Sequence, residues 1–356
     1  MSGPGSGTAL AVAEGYGMNT TSTPLVSVVV PVHQGAGTLT DCLESIVNQT
    51  YQHWDCAIVE NCSTDASLDI SRQFAAQEPR IRVVENRTFL PAMANHNAAL
   101  RQISPDCKYC KVVFGDDWIY PDCLSEMVGL AEEHPSVGFV GAYWRHGSQI
   151  AGLGLEPSTT VFAGRDVGRR HFLESLYAFG SANSLLYRAD LVRARQPFFN
   201  ESNIHADTEV CFDLLKSSDF GFVHKTLTFT RIRPGSLTAR STELQTYFAS
   251  TLRALLAHGR DYLTPEEFDR LLDRRLSDYY QFLSASLLRG RNRAFWAYHK
   301  AQLDATTGFS WARLGAVILK ARRRNPQRSS KGSAARGTGP RREPGALVHT
   351  LMLSWR

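Results

Sequence analysis

The chain has 356 residues, 43% of them hydrophobic and 21% charged, which is typical of a globular protein that buries a large core. Residues 320–342 contain nine Lys or Arg and no acid, so the net charge of +5 leaves −4 for the rest of the chain. This distribution excludes a basic, nucleic-acid-binding core. No stretch approaches the roughly 18 to 20 uninterrupted apolar residues of a membrane-spanning helix. The first 23 residues also lack a basic start followed by an apolar core, so we expect a cytoplasmic protein.

The seven cysteines are odd in number and are spread over predicted strands and helices, so we expect reduced thiols. Cys107 and Cys110 form one CxxC pair. A zinc site needs about four ligands, and neither a second pair nor an HxxxH motif follows at a useful spacing. We therefore predict structural cysteines.

Residues 1–23 are rich in Gly, Ser and Thr without an apolar period, which predicts a disordered leader. From Val26, short apolar runs typical of buried strands alternate with stretches of helical periodicity. The apolar runs are VSVVVPV, WDCAIVE, IRVVE, KYCKVVF and VGFVGAY, and the helical stretches are Thr38–Asn48, Asp65–Gln77 and Pro91–Ile103.

This alternation predicts an α/β fold with a mostly parallel, helix-covered sheet. Such sheets bind ligands at the carboxyl ends of their strands. Polar residues stand at each of these ends: His33 and Gln34, Glu60 and Asn61, Glu85 to Arg87, and Asp116 and Asp117.

After Trp144 the pattern loosens into a Gly-rich stretch. It is followed by a helix at about 169–177, a strand at 184–187, a helix near 208–216 and a strand at 220–224. From 241 to 319 we predict a helical appendage, in which Thr264-Pro265-Glu266-Glu267 is a capping box that starts a helix. The basic tail, 320–356, is predicted to be disordered. Alternatively, it attaches the protein peripherally to the anionic inner face of a membrane.

Asp116 and Asp117 follow an apolar strand, which directs their carboxylates into the ligand crevice. Hard oxygen ligands at such a place suit Mg²⁺ or Mn²⁺ bridging a substrate diphosphate. The alternative is that one Asp merely stabilises the turn before the next helix.

At this point the array resembles glycosyltransferase family 2, whose members have the nucleotide-diphospho-sugar transferase fold called GT-A. The resemblance is carried by three segments in the family's order, which are VSVVVPVHQGAGTLTDCLESIVNQTYQHWDCAIVENCSTDAS, ANHNAAL and KVVFGDDWIYPDCL. It implies a GT-A domain at 24–240, with a nucleotide-binding half at 24–145 and an acceptor half at 146–240.

The resemblance implies that Pro31, Val32 and His33 contact the nucleoside and that Glu60 accepts a hydrogen bond from the base, typically uracil. The alternative for the Glu60 motif is a simple turn, in which Asp65 caps the next helix.

His96 and Asn97 match a pair that lies near the diphosphate in relatives, although His96 can equally be a buried helix histidine. From the late loop TFTRIRPGS, Arg231 or Arg233 is expected to reach the diphosphate.

Asp116 is implied as the direct metal ligand, with Asp117 as a second metal-site carboxylate. Phe114 stands where the family usually has an additional acid. Asp207 is implied as the catalytic base, with Glu209 as runner-up, while Asp207 also suits the cap of a helix that begins at Thr208.

The sequence therefore predicts an inverting, metal-dependent glycosyltransferase. It moves a sugar from a nucleotide-sugar donor, a UDP-sugar, to a hydroxyl of a glycan or lipid-linked acceptor in cell-surface polysaccharide synthesis. Two alternatives stay open. One is a sugar nucleotidyltransferase with the same fold, although HQGAGTLTD lacks the basic residue that would hold a triphosphate. The other is a non-catalytic nucleotide- or sugar-binding scaffold, which Phe114 suggests.

Overall fold

The computed structural model describes residues 23–287 and 289–324, and its centre is a ten-stranded sheet. The strands are β1 (Val26–Val32), β2 (Trp54–Glu60), β3 (Ile81–Glu85), β4 (Tyr109–Val112), β5 (Trp118–Ile119), β6 (Val137–His146), β7 (Gln149–Ala151), β8 (Val161–Phe162), β9 (Leu185–Arg188) and β10 (Asp219–Thr230). They pair in the order β3-β2-β1-β4-β9-β6-β10-β5, with β7 beside β6 and β8 beside β10.

Helices cover both faces of this sheet and continue beyond it. They are α1 (Leu39–Val47), α2 (Ser67–Gln77), α3 (Ala92–Leu100), α4 (Cys123–Glu133), α5 (Gly164–Glu174), α6 (Ala189–Ala194), α7 (Ala206–Leu215), α8 (Leu237–Leu244), α9 (Tyr247–Tyr262), α10 (Pro265–Leu287), α11 (Arg293–Asp304) and α12 (Trp311–Arg324).

The first four strands of the order, β3, β2, β1 and β4, run parallel, as the strand and helix alternation predicted. β1 is buried along its whole length. Because side chains alternate across a strand, Val28 and Val30 pack with α1 and α4 on one face, whereas Val29 packs with α3 on the other. Burial on both faces explains the unbroken valine run, and the carboxyl ends of these strands meet at one edge.

The strand direction changes where β9 pairs antiparallel with both β4 and β6. Four elements predicted for the acceptor half are present with shifted bounds. The largest shift is in β10, which runs to Thr230 because it pairs along β6 and then with β5. The α/β class with a mostly parallel nucleotide-binding half is therefore confirmed.

The C-terminal helices correct two predicted boundaries. α8 begins at Leu237, before the predicted start at 241, and α12 runs through Arg324, so residues 320–324 are helical and not part of a disordered tail. The predicted capping box is confirmed: Glu267 N–H donates to Thr264 Oγ1 (3.3 Å) and Thr264 N–H donates to Glu267 Oε2 (3.0 Å). The predicted leader, apart from Thr23, and the tail from 325 onward lie outside the described residues.

The chain forms two compact units, and neither begins at the predicted boundary between 240 and 241. The first unit extends to Tyr279 and includes Arg291–Gly308, and the second comprises Tyr280–Gly290 and the chain from Phe309. In the first unit, α9 packs on α5 and α7, and the Tyr262 hydroxyl donates to the Phe212 carbonyl of α7. The helices before Tyr279 therefore belong to the sheet domain. None of the described helices has the length and apolarity to cross a membrane.

Candidate active site

Two loops at the carboxyl edge of the parallel strands are joined by hydrogen bonds. Three consecutive N–H groups of the loop after β1 donate to side chains of the loop after β2 and of the first residue of α2: Gln34 to Ser63 Oγ (3.0 Å), Gly35 to Ser67 Oγ (2.8 Å) and Ala36 to Asp65 Oδ2 (2.9 Å). The chain approaches itself so closely here that a Cβ on Gly35 would lie 2.8 Å from Val32 Cγ2. The edge is thus a preformed surface.

Glu60 is buried, and its carboxylate closes a turn. Its two oxygens accept the backbone N–H groups of Cys62 (3.0 Å) and Ser63 (2.7 Å), and Cys62 is left-handed with φ of 56°. This is the turn that the sequence left open as an alternative. Each carboxylate oxygen has a second lone pair, so the nucleobase contact of Glu60 stays a prediction. Asp65 accepts the N–H of Ser67, the first residue of α2 (3.0 Å), but the residue directly before α2 is Ala66, so Asp65 lies one position outside the predicted cap.

Of the three residues predicted to contact the nucleoside, only His33 is exposed. Pro31 and Val32 are buried in β1, and Val32 packs under Gly35, so the nucleoside contact of these two positions stays a prediction. His33 Nδ1 lies 2.9 Å from the Asn61 carbonyl oxygen, which orients the ring.

His96 stacks on Phe114, with ring centroids 4.8 Å apart, and meets Phe199 edge-on at 6.3 Å. Burial lowers the pKa of His96 to about 4, and the charge of Asp116 opposes this shift only partly. The imidazole of this partly exposed residue is therefore uncharged at neutral pH, and its contact with the diphosphate stays a prediction. Phe114, which replaces an acid of the family pattern, supplies the stacking surface.

Asn97 holds the loop before α7. Its side-chain oxygen accepts the N–H of Phe199 (2.8 Å), and its amide donates to the Phe199 carbonyl (2.8 Å) and to Glu201 Oε1 (3.0 Å). The side chain is buried, and both ends of the amide are engaged. This corrects the prediction that Asn97 contacts the diphosphate.

Asp116 and Asp117 lie in a tight turn after β4, and their environments differ. The turn is closed by the Asp117 N–H, which donates to the Phe114 carbonyl (2.9 Å), and is held to the start of α1 by the Thr38 hydroxyl, which donates to the Gly115 carbonyl (2.9 Å). Asp117 is buried, and its Oδ1 accepts a hydrogen bond from the backbone N–H of Arg231 (2.9 Å). Burial and the adjacent Asp116 raise the pKa of Asp117 to about 8. One oxygen of its carboxyl is thus used by the fold, and the role of Asp117 at the metal site stays a prediction.

Asp116, by contrast, is partly exposed, and its carboxylate pairs with an arginine side chain. Arg233 Nε lies 2.5 Å from Asp116 Oδ2, and the Arg233 side chain is 43% exposed. Arg231 donates through Nε to the Asp116 carbonyl oxygen (3.1 Å) and through Nη2 to Asp41 Oδ2 (2.8 Å). The segment after β10 therefore brings both predicted arginines to the acidic turn.

Asp41 and Trp118 also belong to this site, although the sequence did not predict them. Trp118 stacks on Phe229 with ring centroids 3.6 Å apart, and the Arg231 guanidinium lies 5.1 Å above the Trp118 ring. These pairs join residues far apart in the chain through the β5–β10 pairing. The sequence contained one signal for Trp118, which is an aromatic residue directly after the acidic pair.

Asp207 lies in the first turn of α7 as its second residue, so it is not the residue before the helix, as the capping alternative supposed. Its Oδ1 accepts the N–H of Thr208 (2.8 Å). Burial raises the pKa of Asp207 to about 6, and this hydrogen bond opposes the shift. Glu209 binds Asn200 and Asn203 through its two oxygens. Asp207 is therefore the acid of this helix whose pKa suits a general base.

The residues of the turn fit a divalent cation through one carboxylate. Among residues 23–287 and 289–324, no group of three or more His, Cys, Asp or Glu could hold a metal ion. Mg²⁺ and Mn²⁺ do not need such a group, because Mg²⁺ is commonly bound by one or two carboxylates together with substrate phosphates. Asp116 is the carboxylate that this arrangement offers.

Comparisons with known proteins give the family of the segment that contains the parallel strands and the acidic turn after β4. Residues 27–194 match the profile described as Glycosyl transferase family 2. The chain is 27% identical over 276 residues to the glycosyltransferase GlyA of Streptococcus pneumoniae, which covers 75% of this chain and 38% of GlyA. It is 33% identical over 121 residues to the protein EpsE of Bacillus subtilis, which covers 34% of this chain and 43% of EpsE.

Solved structures give the same fold. The structure of S. aureus TarS 1-349 in complex with UDP-GlcNAc has a TM-score of 0.58 at 17% identity, and covers 84% of this chain and 85% of that one. The mannosyltransferase PcManGT from Pyrobaculum calidifontis, in complex with GDP-Man and Mn2+, has a TM-score of 0.53 at 16% identity, and covers 87% and 89%.

The matched segment belongs to glycosyltransferase family 2, and the predicted GT-A fold is confirmed. The chain matches less than half the length of GlyA and EpsE, 38% and 43% respectively.

Proposed function

We propose that the protein is an inverting glycosyltransferase that moves a sugar from a UDP-sugar to a hydroxyl of a glycan or lipid-linked acceptor. The observation that carries this proposal is that the two neighbouring acids have different environments. Asp117 is buried and fixed to Arg231, whereas Asp116 faces the strand-end edge with the exposed Arg233 on its carboxylate. The edge therefore presents one carboxylate and one cation, which suit a metal ion and a diphosphate respectively.

On the donor side, Asp116 would hold Mg²⁺ or Mn²⁺ together with the diphosphate, and the metal would neutralise the leaving group. Arg233 would turn from Asp116 to the diphosphate oxygens. His33 directly follows β1 and Glu60 ends β2, so both lie at the strand-end edge where the nucleoside would bind.

On the acceptor side, Asp207 would remove the proton of the attacking hydroxyl. With a pKa of about 6, its carboxyl is ionised at neutral pH and is more basic than an exposed aspartate. A direct attack on the anomeric carbon, with proton transfer to Asp207, forms the new glycosidic bond and releases the nucleoside diphosphate with inversion.

The donor nucleotide is proposed as UDP because the TarS structures are described in complex with UDP and with UDP-GlcNAc. PcManGT is described with GDP-Man and Mn2+, so GDP-sugars are the first alternative donors to test. Cell-surface polysaccharide synthesis is proposed from the relatives, one of which is named for teichuronic acid biosynthesis.

The test is release of the nucleoside diphosphate, UDP or GDP, across a panel of UDP- and GDP-sugars, with and without Mn²⁺, for the wild type, Asp116→Asn and Asp117→Asn. We expect metal-dependent release in the wild type and its loss in Asp116→Asn. Asp117→Asn keeps an oxygen acceptor for the Arg231 N–H, so it should retain metal-dependent UDP binding. Near-normal release by Asp116→Asn would contradict the assignment, and UDP binding without turnover of any donor would favour a non-catalytic scaffold.

A further inference from the structure

The last described helix, α12, has an apolar face that is only partly packed. Among residues 311–319, Leu314 is the buried residue, at 2% exposure. Trp311, Gly315 and Leu319 follow one another at intervals of four, and Leu314 lies three residues after Trp311 at the edge of the same face. On that face Trp311 is 71% exposed and Leu319 is 59% exposed.

The start of α12 is fixed, so the exposure of Trp311 is a property of the fold. The Ser310 N–H donates to the Tyr280 hydroxyl (2.8 Å), and the Ser310 hydroxyl accepts the Arg313 N–H (3.2 Å). The Phe309 ring meets the Trp311 ring edge-on, with centroids 4.8 Å apart. Trp311 is therefore held at the surface of the second compact unit.

The sequence that contains and follows α12 carries positive charge only, up to Glu343. Between Asp304 and Glu343 the sequence contains ten Lys or Arg and no acid. Arg313 is exposed on α12 itself, and Lys320, Arg322, Arg323 and Arg324 lie in its last turns. A second copy of the chain would bring like charges together on this face, which opposes self-association.

We infer that α12 is a membrane-surface helix, which lies on an anionic lipid bilayer with Trp311 and Leu319 in the interface. Helices that lie in the plane of a bilayer typically combine Trp and Leu on one face with Lys and Arg on the other. Tryptophan prefers the headgroup level because its ring is apolar and its indole N–H is polar. Each basic residue near the surface adds attraction to anionic lipids. This function is independent of the proposed transfer reaction.

The experiment is co-sedimentation of the full-length protein with vesicles of phosphatidylcholine alone and of phosphatidylcholine mixed with phosphatidylglycerol, at low and high salt. We expect binding to the anionic vesicles that weakens with salt. The double variant Trp311→Ser/Leu319→Ser should bind about tenfold more weakly, which corresponds to ~1.4 kcal/mol. The matched control Ile150→Ser/Leu173→Ser changes two exposed apolar residues of the first unit and should bind like the wild type.

A second set of variants distinguishes vesicle binding by α12 from vesicle binding by the chain that follows it. If Arg336→Gln/Arg341→Gln/Arg342→Gln abolishes binding while Trp311→Ser/Leu319→Ser leaves it unchanged, the inference is wrong and the chain after α12 binds alone. Binding of a DNA duplex but of no vesicle would also overturn it.

Insertion is measured by quenching of tryptophan fluorescence with brominated lipid. Because the chain has six tryptophans, the fraction of fluorescence that brominated lipid quenches is compared between the wild type and Trp311→Phe. Most of this quenching should be absent in the variant. Equal quenching in both proteins would contradict insertion of Trp311. The thermal shift produced by UDP, measured on the same variants, should not change, so failure of membrane binding and failure of the transferase proposal are distinguishable.

Discussion

Arg233 and Asp116 form an ion pair, with Nε and Oδ2 2.5 Å apart, although 117 residues separate them in the chain. The pair puts a protein cation on the carboxylate proposed to hold the metal ion. A divalent cation and the guanidinium would then compete for Asp116, while a bound diphosphate would attract Arg233 away from it.

This competition predicts opposite effects of Arg233→Ala on two ligands. Mn²⁺ alone should bind more tightly, because the carboxylate is no longer paired, by about three- to tenfold for a partly exposed ion pair. UDP in the presence of Mn²⁺ should bind more weakly, because a phosphate partner is lost. Free Mn²⁺ is measured by electron paramagnetic resonance and UDP binding by calorimetry. The exposed Arg240→Ala is the control, and a parallel loss of both affinities would contradict the competition.

The raised pKa of Asp207 predicts how the rate of sugar transfer depends on pH. Because burial raises its pKa to about 6, kcat/KM should rise with pH through about 6 and level off above 7 as the carboxyl becomes ionised. Asp207→Asn should lower kcat by about 10²- to 10⁴-fold and remove this limb of the profile while UDP binding is kept. Loss of the limb in Glu209→Gln instead would transfer the role to Glu209.

The same raised pKa predicts that Asp207 reduces stability at neutral pH. A carboxyl whose folded pKa exceeds its unfolded value binds more protons in the folded state, so the free energy of unfolding falls as pH rises from about 4 to 6. At pH 7, Asp207→Asn should therefore be more stable than the wild type, by up to about 3 kcal/mol. Denaturant unfolding at pH 4 and pH 7 tests this, and a gain that is equal at both pH values would assign the effect to packing.

Asn97 is predicted to support the acceptor side through the loop before α7. Asn97→Ala leaves the N–H and carbonyl of Phe199 without partners in a buried position, and each lost hydrogen bond of this kind costs about 1–3 kcal/mol. We expect lower stability and a raised KM for acceptor, with little change in UDP affinity. The neighbouring Asn95→Ala serves as a control on the same helix, and equal losses in both variants would remove the specific role of Asn97.

Gly164 tests the packing of the acceptor half. A Cβ there would lie 2.1 Å from the Ser218 carbonyl oxygen, which is backbone and cannot swing away, so Gly164→Ala should lose about 1–3 kcal/mol or more. Gly129→Ala meets nothing within 4 Å on the exposed side of α4 and should gain about 0.5–1 kcal/mol through helix propensity. Thermal unfolding of both variants gives the comparison, and a stable Gly164→Ala protein would argue against this packing.

The parallel half of the fold was predictable because its strands are buried on both faces, which leaves continuous valine runs such as β1. The strand-end position of Asp116 followed from that pattern. The different environments of Asp116 and Asp117 did not, because they depend on Arg231 and Arg233, which the chain brings back only at the end of β10. The predicted boundary at 240/241 failed for a related reason: α9 is amphipathic, but its sequence does not reveal that α5 and α7 are its partners.

The seam between β4 and β9 is where the parallel half meets the antiparallel half, and it is short. Three residue pairs form it, and one includes Lys111, which is fully buried and donates to the carbonyls of Asn183 (2.5 Å) and Leu185 (3.2 Å). A chimera that exchanges acceptor halves between relatives would have to rebuild this border together with the β5–β10 pairing and the contacts of Asn97 with the loop before α7. Lys111 and the backbone turn that it holds would have to be inherited together, because either one alone leaves buried polar groups unpaired.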